Sequence, residues 1–571
     1  MLGTSSRIRV RREEDRVASS TSAVRAETSD SGHPAEQLVV RIDGDSVHPR
    51  MLVGGKAHGL SKIRRAGLPT PPAFTVTVDA CRQYFEAPDD LMDRLWPQIR
   101  DGLAWLESES GHTFGRGPVP LLVSVRSGAP ASMPGMMDTV LNLGINDEVE
   151  RVLADRCGAE FARDTHRRFR DLFRQVVAPP GGIVPVDPYA QLRAAVTAVF
   201  DSWNSPRAVS YRRHHNLEGK MAGTAVTVQA MVFGNLDEQS GTGVLFSRNP
   251  LTGQAKPFGE WLARGQGEDV VSGKFDPLPL SALGEQHPEI HGQLLQAASW
   301  LEIEGADVQD IEFTVESGRL YLLQTRAAKR SARAAVTIAV ALQQEGLISI
   351  NEALSRVTAA QLDVLLTPVI EPAARAGATV VASGLAACPG VGAGRVVADS
   401  DSAEDAADDD EDVVLARETT SPDDVGGMIA ARAIITEQGG ATSHAAVVSR
   451  ELQTPCVVGC GRGSLRALVG TDVTVDGAEG LVYSGLLPLT QPSEDSDPEM
   501  AMLLSWARSR SPVRVVQRDA ANSAVPRVDH RDAATVWQAL EAGESMVAAE
   551  HPLPVLLMIL ERTRNAAGAL G

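Results

Sequence analysis

Aromatic residues make up only 4% of the 571 positions, and no apolar run approaches the ~20 residues that a membrane-spanning helix needs. The longest near the end, Val555 to Leu560, stops at Glu561. A membrane span is therefore not expected. Five cysteines (Cys81, Cys157, Cys388, Cys456, Cys460) show no C-x-x-C spacing, which argues against both a disulfide framework and a zinc site. Positive charge is also short: Lys+Arg 54 against Asp+Glu 73 gives −19, so no nucleic-acid surface is expected. The N-terminus has no apolar core of a secretory signal, and its acids leave an organelle transit peptide only as a minor option beside a disordered arm. These exclusions leave a cytoplasmic protein of several domains as the expectation, with hydrophobic content of 43% to build their cores.

Composition divides the chain further. Residues 1–37 read as a disordered arm and 38–225 as a mixed strand and helix lobe. A strand-rich lobe follows over 226–330, then a helical connector over 331–375. A compact α/β segment occupies 376–488, and 489–571 read as a linker and helical tail without a catalytic motif. The acidic run Asp401 to Asp412 reads as a solvated face, because contiguous carboxylates do not converge on one point.

Four groups of residues carry chemistry. In Thr436-Glu-Gln-Gly-Gly-Ala-Thr-Ser-His444-Ala-Ala-Val-Val-Ser-Arg450, a short apolar strand meets a glycine pair and then a helix. Thr442 or Ser443 can cap that helix. His444 then faces unpaired backbone N–H groups at the positive end of the helix dipole, where a phosphoryl group on imidazole would be stabilised. In Val53-Gly-Gly-Lys56, a lysine after two glycines can reach a phosphate, although a surface lysine at a helix start is commoner. In Val123-Ser-Val-Arg126, a strand ends in a guanidinium suited to phosphate oxygens. A methionine-bearing loop, Ser132-Met-Pro-Gly-Met-Met137, follows it as a lid.

The fourth group is Asp310-Ile-Glu312 with Gln324-Thr-Arg326. Period-two alternation puts each pair on one strand face. With Ser317-Gly-Arg319 as a three-residue hairpin loop, Glu312 lies opposite Gln324 and Asp310 opposite Arg326. A carboxylate and an amide oxygen are then available to Mg²⁺, with Arg326 beside them. Surface charge pairs on an ordinary hairpin are the plainer alternative.

Together these stretches, with Gly223 to Gly234, Ser240 to Pro250, Gly265 to Gly273 and Thr454-Pro-Cys-Val-Val-Gly-Cys460-Gly, resemble the pyruvate, phosphate dikinase family of PEP-utilising enzymes. The resemblance covers roughly 38–488. It implies an α/β multidomain chain: an ATP-grasp nucleotide domain followed by a swivelling phosphohistidine domain. It implies that Lys56, Arg126 and Arg326 hold phosphates and that Glu312 and Gln324 bind Mg²⁺. Gln229, Met231 and Val232 would line the adenine slot, with Glu268 and Asp310 also in the nucleotide site. ATP would phosphorylate His444, with attack at the β-phosphoryl group and orthophosphate taking the γ-phosphoryl. The imidazole must be neutral to attack, so activity is expected to fall below a pKa near 6.5. Family members continue into a (β/α)₈ barrel of on the order of 250 residues that binds pyruvate and PEP. Fewer than a hundred residues follow 488, so no TIM barrel is expected and the pyruvate site is expected on a separate polypeptide. Transfer to a different small acceptor, or a nucleotide-dependent phosphocarrier without pyruvate chemistry, are the alternatives. Thr442 is either a regulatory phosphorylation site or a plain capping or phosphate-contacting hydroxyl.

Overall fold

A computed structural model describes residues 36–568, apart from 134, 179–181, 272–274, 367–368, 491 and 522–523. Residues 1–35 of the expected N-terminal arm lie outside the described residues. Two five-stranded antiparallel sheets come first. The first runs in the order Val39–Ile42, Ala73–Val76, Ala225–Ala230, Val123–Gly128, Thr139–Leu143. The second runs Leu278–Pro279, Phe258–Ala263, Gly241–Phe246, Gln309–Glu316, Arg319–Ala327. The boundary expected after residue 225 is therefore misplaced. Ala225–Ala230 is the middle strand of the first sheet, buried along its whole length between two partners, and the crossing to the second sheet follows it.

The helix Arg50–Arg65 lies between the lobes, touching strands of both sheets. Inside it Gly54 sits at φ 75, and a Cβ there would lie 1.7 Å from the Gly128 carbonyl oxygen. Only glycine permits that conformation and that approach. The amide of Gly55 donates to the Ala129 carbonyl at 2.9 Å, so the glycine pair pins this helix to the strand bearing Arg126. Packing of backbone on backbone delivers Lys56 to Arg126.

The third sheet has eight strands, ordered Val380–Ser383, Leu481–Ser484, Asp472–Asp476, Val391–Val397, Val413–Arg417, Ala433–Thr436, Cys456–Val458, Leu385–Cys388. Its four middle strands, from Val391–Val397 to Cys456–Val458, are parallel. The last three of these are mostly apolar and almost wholly buried, as expected for strands covered on both faces. The helix His444–Leu452 starts beyond the carboxyl end of Ala433–Thr436, where open α/β sheets place their ligands.

The connector is helical as expected: Ala332–Gln344, Ile350–Ser355, Ala359–Leu366 and Pro372–Gly377. The tail differs from its reading as linker and helices. Strands Arg514–Gln517 and Met546–Ala549 pair in parallel, with the helix Ala533–Glu541 between them and Pro552–Gly568 after them. Leu342, Leu362 and Leu366 of the connector share one core with Leu503, Val515, Val547 and Leu556 of the tail. Strands of four residues give too few alternations to be told from helix in sequence. Among the described residues no sheet closes into a barrel, and no helix is long and apolar enough to cross a membrane.

Candidate functional site

The hairpin Gln309–Glu316 to Arg319–Ala327 pairs Glu312 with Gln324 and Asp310 with Arg326. Its loop is shorter than expected: Glu316 pairs with Arg319, leaving two loop residues, Ser317 at φ 47 and Gly318 at φ 74. Two residues with positive φ fit the right-handed twist of the flanking strands. A bulge at Leu323 then restores the expected partners, because Phe313 faces Leu322 while Glu312 faces Gln324. The freed Leu323 carbonyl turns to Arg126, accepting from Nη1 at 3.4 Å.

Arg126 draws the site together. Its Nη2 donates to Glu312 Oε2 at 3.1 Å and to Gln324 Oε1 at 3.4 Å, and its Nη1 to Gln229 Oε1 at 3.4 Å. Gln324 Nε2 donates to Glu312 Oε1 at 3.0 Å, and Arg326 Nε to Asp310 Oδ2 at 2.8 Å. Burial alone would push the Glu312 carboxyl up, but Arg126, Arg326 and Lys56 outweigh it and hold it below the usual range. Burial raises Asp310 against the opposing pull of Arg326. Lys56 is pushed down to about 7 by burial, then by Arg126 and Arg326, with Glu312 opposing. Three cationic side chains crowded around few anions make a site that an anionic phosphate chain would relieve.

The residues also fit a divalent cation. Asp310 Oδ1 is buried without a hydrogen-bond partner. It stands with the Glu312 carboxylate and the Gln324 amide oxygen as a set of hard oxygen donors beside the arginines.

Other expected residues divide. Gln229 is buried in the first sheet, its amide donating to the Pro71 carbonyl at 3.3 Å. Met231 and Val232 are half-buried just beyond that strand, and the Met231 amide donates to the Leu122 carbonyl at 2.9 Å. Glu268 is held by Arg168 at 3.1 Å, with Asp269 on the same guanidinium at 2.8 Å. Burial raises its carboxyl, opposed by that arginine. Its charged neighbours are Arg168, Asp269 and Asp164 rather than the cluster around Glu312.

His444 is the first residue of its helix, and the hydroxyl of Ser443 accepts from the Ala446 amide at 3.4 Å, so Ser443 is the cap. Thr442 takes another part. Its hydroxyl donates to Glu260 Oε2, while the Ala441 amide donates to Glu260 Oε1 at 2.8 Å. Glu260 lies in the second sheet, so this buried carboxylate seats the histidine loop on the second lobe. Gly440 makes room for it, since a Cβ there would lie 2.5 Å from Glu260 Oε1.

The imidazole is half-buried. Its Nδ1 lies 3.2 Å from Thr420 Oγ1, and its Nε2 is buried without a partner. That Nε2 abuts Gly135, where a Cβ would lie only 3.4 Å from it. Gly135 of the methionine loop thus touches the histidine. Its methionines are not exposed, however: Met133 and Met136 turn inward into the first lobe's core. Pro134 lies outside the described residues. Burial lowers the His444 pKa to about 4, with Asp424 opposing, well below the 6.5 expected of an unperturbed ring. The ring is neutral across the physiological range in this arrangement.

Glu260 and Thr420 were not legible as site residues. A glutamate in the apolar strand Phe258–Ala263 was the clearest available signal.

Residues 50–110 and 90–282 match the family model described as pyruvate phosphate dikinase, AMP/ATP-binding domain, and 409–480 match that of the PEP-utilising enzyme, mobile domain. The chain is 40% identical over 527 residues to the pyruvate, phosphate dikinase of Clostridium symbiosum, covering 82% of this chain and 60% of that protein. It is 41% identical over 513 residues to pyruvate, phosphate dikinase 2 of Zea mays, covering 80% and 58%. With the Rhizobium meliloti (strain 1021) enzyme it shares 39% over 531 residues, covering 81% and 59%. The chain therefore spans about three-fifths of the length of these relatives.

Proposed function

Since the chain belongs to the pyruvate, phosphate dikinase family, we propose that it performs the nucleotide half of a dikinase reaction, making phosphohistidine on His444 from ATP and orthophosphate. The lobes act as an ATP-grasp domain. The 376–488 segment acts as a swivelling carrier, here drawn up against them. The observation that carries this reading is the unpartnered Nε2 of His444 under the lid that continues from Arg126.

Lys56, Arg126 and Arg326 bind the phosphate chain, while Gln229, Met231 and Val232 border the base. Glu312 and Gln324 would hold Mg²⁺, with Asp310 beside them; the ion supplies charge neutralisation on the phosphate oxygens. The neutral ring keeps its proton on Nδ1, donating to Thr420 Oγ1, and presents the Nε2 lone pair. Nε2 attacks the β-phosphorus in line. An N–P bond forms, the bond from that phosphorus to the AMP oxygen breaks, and the guanidiniums of Arg126 and Arg326 stabilise the spreading charge. Orthophosphate then takes the γ-phosphoryl as pyrophosphate. Phosphohistidine remains, at the helix N-terminus that favours an anion. The carrier then delivers it to pyruvate bound on a separate, barrel-bearing chain.

Incubation with MgATP and orthophosphate, labelled at either the β or the γ position, tests this. Label in acid-labile, base-stable form is expected on the protein from β-labelled ATP alone. Retention of the γ label after orthophosphate is added would refute the β assignment.

A further inference from the structure

His444 and Glu451 are seven residues apart on one helix, which puts them on the same face about 10.5 Å apart along its axis. That face meets the nucleotide lobes. Glu451 is a carboxylate near the end of an otherwise mostly apolar helix, and its side chain is only 9% exposed. A buried carboxylate persists only where partners compensate for lost water. Its Oε1 accepts from Lys329 Nζ at 2.6 Å and from the Tyr211 hydroxyl. Tyr211 belongs to the first lobe, in the helix Pro206–His214, and its hydroxyl also lies 3.5 Å from the Ser132 carbonyl at the start of the lid. Lys329 belongs to the second lobe, two residues beyond the strand carrying Gln324 and Arg326. Two turns from the histidine, one oxygen atom therefore joins the carrier to both lobes. Gln453, just past the helix, adds a bond from its amide to the Arg330 carbonyl at 3.1 Å.

We propose that Glu451 is a positioning residue that reads lobe closure: it seats the far end of the carrier helix only when Tyr211 and Lys329 are brought together, and so aims His444 at the phosphate site. Either lobe alone offers it one partner. A closed pair offers two, and the carboxylate is desolvated only against both. Full docking thereby follows closure of the lobes on nucleotide, and while the site is open the carrier keeps only its second-lobe contacts, at Glu260 and at the Arg330 carbonyl. The inference rests on the reading of 376–488 as a mobile carrier.

The test uses the full chain with dyes on Asp101→Cys of the first lobe and Asp405→Cys of the carrier, both exposed positions, after Cys157 and Cys460 are replaced by Ser. Energy transfer reports the docked fraction with and without a nonhydrolysable ATP analogue, and single-turnover labelling of His444 is followed separately. In Glu451→Gln, the docked fraction is expected to fall and labelling to slow at least tenfold, with nucleotide affinity changed less than twofold. Tyr211→Phe, which removes only a hydroxyl, is expected to do the same, and adding it to Glu451→Gln should cause little further loss. Lys329→Glu with Glu451→Lys should restore part of the rate. Unchanged docking in Glu451→Gln and Tyr211→Phe, or a loss of thermal stability with labelling intact, overturns the proposal. Docking that responds to these variants in a chain that takes no label from ATP leaves the latch standing and removes the phosphotransfer reading.

Discussion

Acidification should loosen the carrier through His444 itself. The docked ring has its pKa lowered from 6.5 to about 4, mainly by burial beneath the lid. A carrier that leaves returns the ring to water. The docked state therefore binds the proton less tightly than the free one. The docking penalty starts as pH falls through 6.5 and is complete below about 4, so docking is strongest above 6.5. At one pKa unit per 1.36 kcal/mol, the shift is worth at most about 3.4 kcal/mol, and about 2 kcal/mol of it is felt at pH 5. That corresponds to a fall of about thirtyfold in the docked to undocked ratio. Glu260 works in the opposite sense, because burial raises its carboxyl in the docked form and protonation there favours docking. His444→Asn keeps the Glu260 contribution and removes the ring's. Between pH 8 and pH 5 the interdomain energy-transfer signal should therefore drop much further in the wild type than in His444→Asn. Superimposable pH profiles for the two proteins would refute the reasoning.

Other predictions concern the cradle and the tail. Gly54→Ala must place a Cβ 1.7 Å from a carbonyl oxygen at φ 75, and should cost about 3–5 kcal/mol by denaturant unfolding. Gly55→Ala, whose nearest neighbour is the mobile end of Arg50 at 3.3 Å, should cost under about 1 kcal/mol. Arg326→Met strands the buried Asp310 carboxylate and should cost about 3–5 kcal/mol, part of which Asp310→Asn restores without restoring ATP binding. Gly135→Ala puts a methyl 2.9 Å from Pro422 and 3.4 Å from His444 Nε2, and should slow labelling of the histidine while calorimetry finds ATP affinity unchanged. In the tail, burial raises Glu494 to about 7 while its carboxylate accepts from the Leu553 amide at 2.8 Å. A raised carboxyl favours the fold below its unfolded pKa and loses that advantage as pH rises through 7. Glu494→Gln should therefore raise the melting temperature at pH 8, by about 1–3 kcal/mol of stability, and change little at pH 5.

The parts of the fold legible in sequence were those fixed by local rules. Ser443 caps and His444 begins its helix because a hydroxyl and a glycine pair precede an apolar run. The partners of Glu312 and Asp310 followed from strand alternation, although through a compensation: a two-residue turn and a bulge at Leu323 give the alignment that a three-residue loop would. What escaped was decided by distant packing. The strand Ala225–Ala230 is buried on both faces, with Thr227 and Gln229 on one of them, so nothing local assigns it to one sheet rather than the other. Glu260 and Thr442 meet across 182 residues, and Tyr211 and Glu451 across 240, so their roles emerge only when the lobes and the carrier share an interface. The tail's strands are short enough to hide among helices, and they count as structure only through the core they form with the connector.

Mass mapping of the modified residue tests the central claim most directly. After brief exposure to MgATP and orthophosphate at pH 8, followed by alkaline quench and proteolysis, the peptide spanning His444 should carry one added phosphoryl group on its imidazole, and Arg126→Met should abolish it. A phosphoryl group found on Thr442 or elsewhere with His444 unmodified, or none on His444 in a protein that demonstrably binds ATP, would contradict the account.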